Sequence, residues 1–321
     1  MAEVCVSGAI NWDINLFVER FPEIGEEVPV KKITRVPGGK AANVAVASAR
    51  ILGREKVALI GCLGKDDIAR RQIEILKSEG VIVSGIKFDD ELESGQAYII
   101  VDRNGRNVIN TFFGANLKLT PDDVRTPPIF NLIKKCSILV LIDPPLETIE
   151  CAAKVAEGFN KTVVWDAGAR SVFGLEKLKG ILGSVHYLVV NEVEVKNLTG
   201  EREPESAWKK ASKMNENLHL IVKLGERGCA LVDRERIVRI PGINLREMGL
   251  KVVNTVGCGD AFLGAFVAYK VLGLSDLKAL EMANLAGALK ATKIETRGSP
   301  TKEELEKHIK YKKAGSIIEK K

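Results

Sequence analysis

The residues best suited to chemistry form one short run late in the chain, Gly257, Cys258, Gly259 and Asp260. Apolar spacing over 261–272 predicts a helix directly after them. Consecutive N–H groups at such a helix start, together with the positive end of the helix dipole, form a site for an anion. A carboxylate beside that site can accept a proton from an alcohol. The segment therefore favours phosphoryl transfer to a hydroxyl group, with Asp260 as the base.

A second glycine turn, PGGKAAN at 37–43, precedes a predicted helix over 44–52. Glycines let a ligand approach the backbone, and Lys40 and Asn43 offer donors to hydroxyl oxygens. Each turn has a simpler interpretation: Asp260 could be a helix cap, and Gly38-Gly39 could be only a turn. Two such turns, each opening a helix in one chain, favour a shared ligand site.

The sequence does not contain two other common glycine-rich nucleotide-binding motifs. No GxxxxGK[ST] loop is present, because GCLGKD at 61–66 has the wrong spacing. No GxGxxG follows the first predicted strand, where SGAIN stands at 7–11. A dinucleotide-dependent dehydrogenase is therefore disfavoured.

The elements that must position these residues alternate between short β-branched runs and amphipathic helical stretches. This rhythm predicts one doubly wound α/β domain over 1–321, with a mainly parallel sheet and helices on both faces. Residues 14–36 and 94–116 break the rhythm with alternating apolar patterns, which predicts a small inserted antiparallel β lid. The strands are predicted at 57–61, 138–142, 162–166, 187–191 and 219–223, with helices at 67–79 and 147–157.

Composition narrows the function classes. The net charge of +6 is concentrated in a basic tail at 308–321, where a solvated helix end explains it better than a nucleic-acid site, since aromatic residues are 5% of the chain. No apolar stretch has the length of a membrane span, so we expect a cytoplasmic protein. The six cysteines lack metal-site spacing and are expected to be reduced and mostly buried.

At this point the chain resembles the ribokinase-like, or PfkB, family of carbohydrate kinases. GGKAAN at 38–43 and NTVGCGDAF at 254–262 look like its two signature regions. NEVE at 191–194 looks like its NxxE motif, and LGERG at 224–228 looks like its nucleotide-side glycine loop. All four segments occur in the family's order, and the similarity spans nearly the whole chain.

The resemblance implies the doubly wound α/β fold with a β-sheet lid, and a homodimer formed through the lids. It assigns Asp260 as the catalytic base and Gly257, Cys258 and Gly259 as the anion hole. Asn191 and Glu194 match residues that organise Mg²⁺ and its waters around the phosphates of the donor, ATP or ADP.

For the acceptor, the resemblance implies Asp13 as the ligand of sugar hydroxyls, with Gly39, Lys40 and Asn43 beside it. Asp143 falls where ribokinases carry a sugar-contacting glutamate. On the nucleotide side, the matching positions are Lys223, Gly225, Gly228 and Asn284.

Two departures from the family pattern matter. Asn254 stands where the family usually has an aspartate associated with a monovalent-cation site, so K⁺ activation is in question. Asp143 is one methylene shorter than glutamate, which leaves room for a larger acceptor.

The leading hypothesis is a kinase acting on the hydroxymethyl group of a small sugar, most simply ribose. A nucleoside or ribose-1-phosphate kinase on the same scaffold is the nearest alternative, followed by a kinase of other hexoses or sugar acids. A non-catalytic ligand-binding protein is more distant, because a binder has no need of a positioned base such as Asp260.

Overall fold

The strands of the protein fall into two sheets. The structure is a computed structural model that describes residues 2–319. Its strands are β1 Val4–Gly8, β2 Asn11–Val18, β3 Val30–Gly38, β4 Val57–Gly64, β5 Ile82–Asp89, β6 Gly95–Val101, β7 Asn107–Phe112, β8 Ile138–Ile142, β9 Thr162–Asp166, β10 Tyr187–Asn191, β11 His219–Lys223, β12 Gly228–Val232, β13 Arg236–Pro241 and β14 Ser316–Glu319.

The large sheet has ten strands in the order β14-β13-β12-β11-β10-β9-β8-β1-β4-β5. The seven neighbouring strands β11, β10, β9, β8, β1, β4 and β5 pair in parallel, and β12, β13 and β14 add an antiparallel edge. The parallel strands are buried on both faces, as their near-continuous apolar runs predict. The expected doubly wound, mainly parallel α/β fold is confirmed.

Helices cover both faces of this sheet and enclose two apolar cores. One core packs against α1, α2, α9 and α10, and the other against α3 to α8. The helices are α1 Lys40–Leu52, α2 Asp67–Ser78, α3 Pro121–Arg125, α4 Ile129–Lys135, α5 Leu146–Gly158, α6 Gly174–Leu182, α7 Glu192–Thr199, α8 Pro204–Ala211, α9 Cys258–Val271, α10 Asp276–Lys290 and α11 Lys302–His308.

The small sheet, called the lid sheet below, has the order β3-β2-β6-β7. Its outer pairs are antiparallel, but β2 and β6 pair in parallel, so the expectation of a purely antiparallel lid is wrong at that pair. The reason is that β2 and β6 are joined through the body of the protein and enter the lid in the same direction. The lid strands occupy 11–18, 30–38, 95–101 and 107–112, within a few residues of the predicted segments.

The basic tail differs from the solvated helix end that was predicted. Helix α11 ends at His308, and β14 then adds an edge strand to the large sheet. Lys312 forms an ion pair with the buried Glu281, and Lys313 pairs with Glu247. Part of the excess positive charge is therefore neutralised by acidic residues of the body.

All six cysteines are free, and all but Cys258 are buried, as expected. Among residues 2–319, no helix combines the length and apolar character needed to span a membrane.

Candidate active site

The candidate site lies along one edge of the large sheet, where four neighbouring parallel strands end. Asp143 directly follows β8, and Asp166, Asn191 and Lys223 are the last residues of β9, β10 and β11. Their strands are adjacent in the sheet. Ligands of open α/β sheets bind at this carboxyl edge. The topology thus gathers polar residues that are far apart in sequence.

Asp166 is the electrostatic centre of this edge. Its Oδ2 atom accepts a hydrogen bond from Lys223 Nζ at 2.7 Å, and its Oδ1 atom lies 4.0 Å from Lys40 Nζ. Burial of Asp166 favours the protonated acid, but Lys223 and Lys40 outweigh it and hold the pKa below its usual range. The carboxylate is therefore ionised and fixes two cations at the site.

Lys40 is the first residue of α1, directly after Gly39, the helix N-cap. Its Nζ atom lies 3.8 Å from Asp143 Oδ2. Burial opposes the charge on Lys40, yet Asp166 and Asp143 raise the pKa above its ordinary value. Lys40 therefore carries a full positive charge between the two carboxylates.

Asp260 stands in the first turn of α9, which begins at Cys258 rather than at the predicted 261. Its Oδ2 atom accepts a hydrogen bond from Asn43 Nδ2 at 2.8 Å, across 217 positions of sequence. Burial raises the pKa of Asp260, while the bond from Asn43 and the charge of Lys40 act in the opposite direction. The two predicted glycine turns therefore meet at this carboxylate.

Gly257 is the N-cap of α9 and has a φ of 86°, in the left-handed region that favours glycine. A Cβ atom there would overlap the carbonyl oxygen of Thr296. The first N–H groups of a helix have no intrahelical acceptor, and here they follow a turn that only glycine fits. A Cβ atom on Gly259 would lie 3.4 Å from Lys223 Nζ, so this cation lies beside the same turn.

Asp13 lies in β2 of the lid sheet and is 4% exposed. A Cβ atom on Gly38 would overlap its carboxylate, so the close approach of β3 requires glycine there. Burial raises the pKa of Asp13 to about 7, and the nearby Arg297 limits the shift. Asp13 is therefore held against the first glycine turn.

Asp143 has a φ of 59°, which is uncommon for a residue with a side chain. Such strain is maintained by the surrounding structure and is concentrated at functional sites. The Asp143 Oδ1 atom is buried and has no hydrogen-bond partner among the described residues. Burial raises the pKa of Asp143, with Lys40 opposing. The free Oδ1 atom leaves an acceptor for a ligand hydroxyl.

Asn191 and Glu194 form a capping box at the start of α7. Asn191 Oδ1 accepts from the Glu194 N–H at 2.9 Å, and Glu194 Oε2 accepts from the Asn191 N–H at 2.8 Å. Both therefore have a structural role at the helix start. Burial raises the pKa of Glu194, and the Asp166 charge adds to the shift. Glu194 thus belongs electrostatically to the site as well.

The carboxylate oxygens of Glu194 and Asp166 suit Mg²⁺ as ligands. Among residues 2–319, no group of three or more His, Cys, Asp or Glu side chains is placed to hold a metal by itself. Mg²⁺ in phosphoryl-transfer sites needs only one or two carboxylates besides waters and phosphate oxygens. Asp166 Oδ1, which lacks a hydrogen-bond partner in the described chain, and Glu194 match that requirement.

The predicted nucleotide-side residues lie beyond Lys223. A Cβ atom on Gly225 would meet nothing within 4 Å, whereas one on Gly228 would overlap the Ile240 carbonyl. Gly228 is therefore explained by strand packing, and Gly225 faces open space. Asn284 is buried in α10 and donates from Nδ2 to the Pro241 carbonyl at 2.9 Å. Asn284 is thus a buried, bonded side chain rather than a solvated one.

Asn254 does not present its side-chain oxygen to a cation. Its Oδ1 atom accepts from the Val256 N–H at 3.0 Å, and its Nδ2 atom donates to the Ile294 carbonyl at 2.8 Å. Lys290 Nζ donates to the main-chain oxygen of Asn254 at 3.0 Å. The residues present therefore do not fit a bound K⁺ at this position.

Sequence reasoning missed Asp166 and Arg297. Asp166 had a usable signal, since it ends a predicted strand beside the strands that end in Asn191 and Lys223. Arg297 had none, because it lies in an irregular segment. Its buried guanidinium donates to Asn43 Oδ1 at 3.0 Å, Gln72 Oε1 at 3.1 Å and the Gly38 carbonyl at 2.6 Å.

Comparison with known proteins shows the family of the chain. A model of the pfkB family carbohydrate kinases matches residues 1–303. The chain is 30% identical over 303 residues to a ribokinase of Lactococcus lactis, covering 94% of this chain and 95% of that protein. It is 28% identical over 304 residues to an ATP-dependent ribose-1-phosphate kinase of Halopiger xanaduensis, covering 94% and 96%.

A solved structure of Arabidopsis thaliana ribokinase complexed with ribose and ATP superposes with a TM-score of 0.84. The two sequences are 26% identical, and the match covers 97% of this chain and 100% of the other.

Proposed function

Because the chain belongs to the PfkB family of carbohydrate kinases and is a sugar kinase, we propose that it transfers the terminal phosphate of ATP or ADP to the hydroxymethyl group of ribose. The observation that carries the proposal is the hydrogen bond from Asn43 to Asp260, which joins the two glycine turns at one carboxylate. The acceptor would bind beside the first turn and the phosphates beside the second.

Asp260 is the proposed general base. Its raised pKa brings the carboxyl closer to the operating pH, which favours proton transfer, while Asn43 keeps one oxygen fixed. The free oxygen would take the proton as the hydroxyl oxygen attacks the terminal phosphorus in line and the bond to the leaving nucleotide breaks.

The phosphate side uses the start of α9 and Lys223. The N–H groups of Cys258 and Gly259 would stabilise charge on the transferring group, and Lys223 would pair with phosphate oxygens. Glu194 and Asp166 would hold Mg²⁺ with its waters, and that ion would neutralise charge on the phosphates. Gly225 would flank the nucleotide, and Gly228 and Asn284 would hold the neighbouring strand in place through Ile240 and Pro241.

The acceptor side uses side chains that already have charge or a free oxygen. Asp13 and Asp143 would accept hydrogen bonds from sugar hydroxyls, and Lys40 would donate to a hydroxyl oxygen. Gly39 would let the sugar approach the backbone. Movement of the lid sheet over this site would exclude water and limit hydrolysis.

A donor and acceptor screen tests the proposal. Phosphate transfer is measured with Mg²⁺ for ATP and ADP, each with ribose, fructose, ribose 1-phosphate and nucleosides. We expect the highest kcat/KM with ribose. Turnover only with nucleosides or sugar phosphates would reassign the acceptor, and no turnover with any pair would contradict a kinase function.

One observation favours ribose 1-phosphate as a second candidate acceptor. Arg170 lies beside Asp143, where its Nη2 atom donates to the Asp143 and Pro144 carbonyls at 3.3 and 3.5 Å. Its buried Nε atom has no hydrogen-bond partner in the described chain. A guanidinium with a free donor at the acceptor side suits a phosphate group on the sugar.

The variant Arg170→Leu separates the two acceptors. If the acceptor carries a phosphate, kcat/KM for ribose 1-phosphate should fall about 100-fold while that for ribose changes little, because only the phosphate loses a charged partner. Equal small effects on both substrates would favour unphosphorylated ribose.

The outer face of the lid sheet supports a homodimer in which a second copy covers it. Strand register places Ile33, Tyr98, Val108 and Phe112 on the face opposite Asp13, and all four are exposed. Apolar residues clustered on one sheet face mark an interaction surface.

We also propose that residues 1–321 form one domain and that the enzyme works in the cytoplasm.

Sedimentation measurements test this interface. Wild type should sediment as a dimer, and Tyr98→Glu should shift it towards monomer because a buried unpaired charge is costly. Tyr311→Glu on the partly buried C-terminal segment serves as the control. A monomeric wild type would contradict the interface.

A further inference from the structure

Lys290, the last residue of α10, is a lysine with no exposed surface. Its Nζ atom donates to the main-chain oxygens of Asn254 at 3.0 Å and Lys293 at 3.4 Å. In the part of the chain that the structure describes, this ammonium forms no ion pair with a carboxylate. Burial of a charge without a counterion costs several kcal/mol, so the position calls for a specific role.

Lys290 lies directly behind the second glycine turn. A Cβ atom on Gly257 would be 3.4 Å from Lys290 Cε. The next residue, Ala291, accepts from the N–H groups of Val253 at 2.7 Å and Asn254 at 3.1 Å. The end of α10 therefore holds the segment that leads into the anion site, and the ammonium is the charged part of that contact.

The contacts of this ammonium are those of a bound alkali cation. Main-chain carbonyl oxygens are the ligands that K⁺ prefers, and a lysine ammonium offers a compact charge with three donors to the same oxygens. Because the Asn254 carbonyl is already bonded to Lys290 and its side-chain oxygen to Val256, a free cation would have to displace these bonds.

We propose that the Lys290 ammonium is a built-in cation that fixes residues 254–257 and so positions the anion site, in place of a bound monovalent ion. The inference rests on the proposed phosphotransfer at that site. Lys290 acts here as a positioning residue, through the backbone of the turn. Its direct consequence is an enzyme whose activity does not depend on K⁺.

The wild-type protein gives the first test. Phosphotransfer is measured in KCl, NH₄Cl, NaCl and tetramethylammonium chloride at constant ionic strength, with sodium- and potassium-free substrates. We expect kcat to vary by less than about twofold among them. A loss of tenfold or more, about 1.4 kcal/mol, on replacing K⁺ by tetramethylammonium would overturn the proposal.

Two variants give the second test. Lys290→Ala removes the ammonium and opens space for an ion, so kcat should fall about 10-fold or more in tetramethylammonium and recover in KCl or NH₄Cl. Lys290→Met removes the charge but fills the space, so its kcat should also fall and should not recover in KCl or NH₄Cl. Lys278→Ala, on the exposed side of the same helix, is the control and should match wild type in every salt.

Thermal unfolding of the same proteins keeps the inference separate from the kinase proposal. The unfolding midpoint of Lys290→Ala should rise in KCl or NH₄Cl relative to tetramethylammonium, as expected when an ion binds the folded state, whether or not any acceptor is phosphorylated. A folded Lys290→Ala protein with neither activity nor midpoint restored by a cation would overturn the inference. If Lys290→Ala does not fold in any salt, unchanged kcat in Lys290→Met would overturn it.

Discussion

The two glycine turns of the site are each backed by a buried cation, and the two cations come from one short stretch of the chain. Arg297 donates to the carbonyl of Gly38 behind the first turn. Lys290 donates to the carbonyl of Asn254 behind the second. Residues 290–297 thus support both halves of a site whose halves are more than 200 positions apart.

The two buried cations, Arg297 and Lys290, differ in the groups to which they donate hydrogen bonds. Arg297 also bonds the side chains of Asn43 and Gln72, and its charge lies near Asp13. Within residues 2–319, Lys290 bonds only main-chain oxygens. A planar guanidinium with several fixed donors sets side-chain geometry, whereas an ammonium acts as a point charge. An added ion should therefore be able to replace Lys290 but not Arg297.

Removing Arg297 should have the largest effect on stability. Arg297→Met leaves the Gly38 carbonyl, Asn43 and Gln72 without their donor, so the free energy of unfolding should fall by about 3–5 kcal/mol. Denaturant titration measures the loss. Neither KCl nor guanidinium chloride at low concentration should restore activity. Restoration by K⁺ would contradict the claim that an added ion can replace Lys290 but not Arg297.

Removing the hydrogen bond from Asn43 to Asp260 should lower kcat, with a smaller free-energy effect than the loss of stability expected for Arg297→Met. Asn43→Ala removes the donor that lowers the pKa of Asp260, so the acid limb of the pH–rate profile should move to higher pH. At pH near 6 we expect kcat to fall about 100-fold, and less at pH near 9.

Ser48→Ala is the matched control for Asn43→Ala. It removes the 3.0 Å bond from Ser48 Oγ to the Gly264 carbonyl, which also joins α1 to α9. Its profile should keep the wild-type acid limb. Equal shifts in both variants would mean that helix packing, and not the bond to Asp260, sets the profile.

Asp13 should destabilise the fold as it ionises. Its pKa is about 7 in the folded state and near 4 when unfolded, so its contribution to stability is present below about pH 4 and lost as pH rises through 7. Asp13→Asn resembles the protonated acid. Its stability relative to wild type should increase by about 4 kcal/mol between about pH 4 and pH 8.

Asp102 offers a control of opposite sign for that pH series. Burial favours its protonated form, but bonds from Arg106 and Asn104 outweigh this and lower its pKa. Asp102→Asn should therefore lose stability relative to wild type as pH rises towards about 4, and the difference should then stay constant between about pH 5 and pH 8. A flat difference for Asp13→Asn across the same range would contradict its assigned environment.

Strand ends were the most predictable part of the site. The apolar runs at 138–142, 162–166, 187–191 and 219–223 have the same bounds in the structure. Asp143, Asn191 and Lys223, which the family resemblance implied as site residues, lie at the carboxyl ends of these strands. Asp166 was overlooked because no motif marks it, although it stands at the same edge.

The buried cations and the strand pairing of the lid were beyond sequence patterns. Lys290 follows an apolar helix and looks like a solvated end, because nothing local shows that the loop 254–257 covers it. The parallel pairing of β2 and β6 depends on how the chain leaves and re-enters the lid. Long-range topology, not local propensity, decides both features.

The most direct test of the central claim, that the two turns form one phosphoryl-transfer site around Asp260, is the Asp260→Asn variant. Its kcat for ribose should fall about 10³-fold or more, while ribose affinity measured by calorimetry stays within a few-fold of wild type. Turnover near the wild-type rate in this variant would contradict the account.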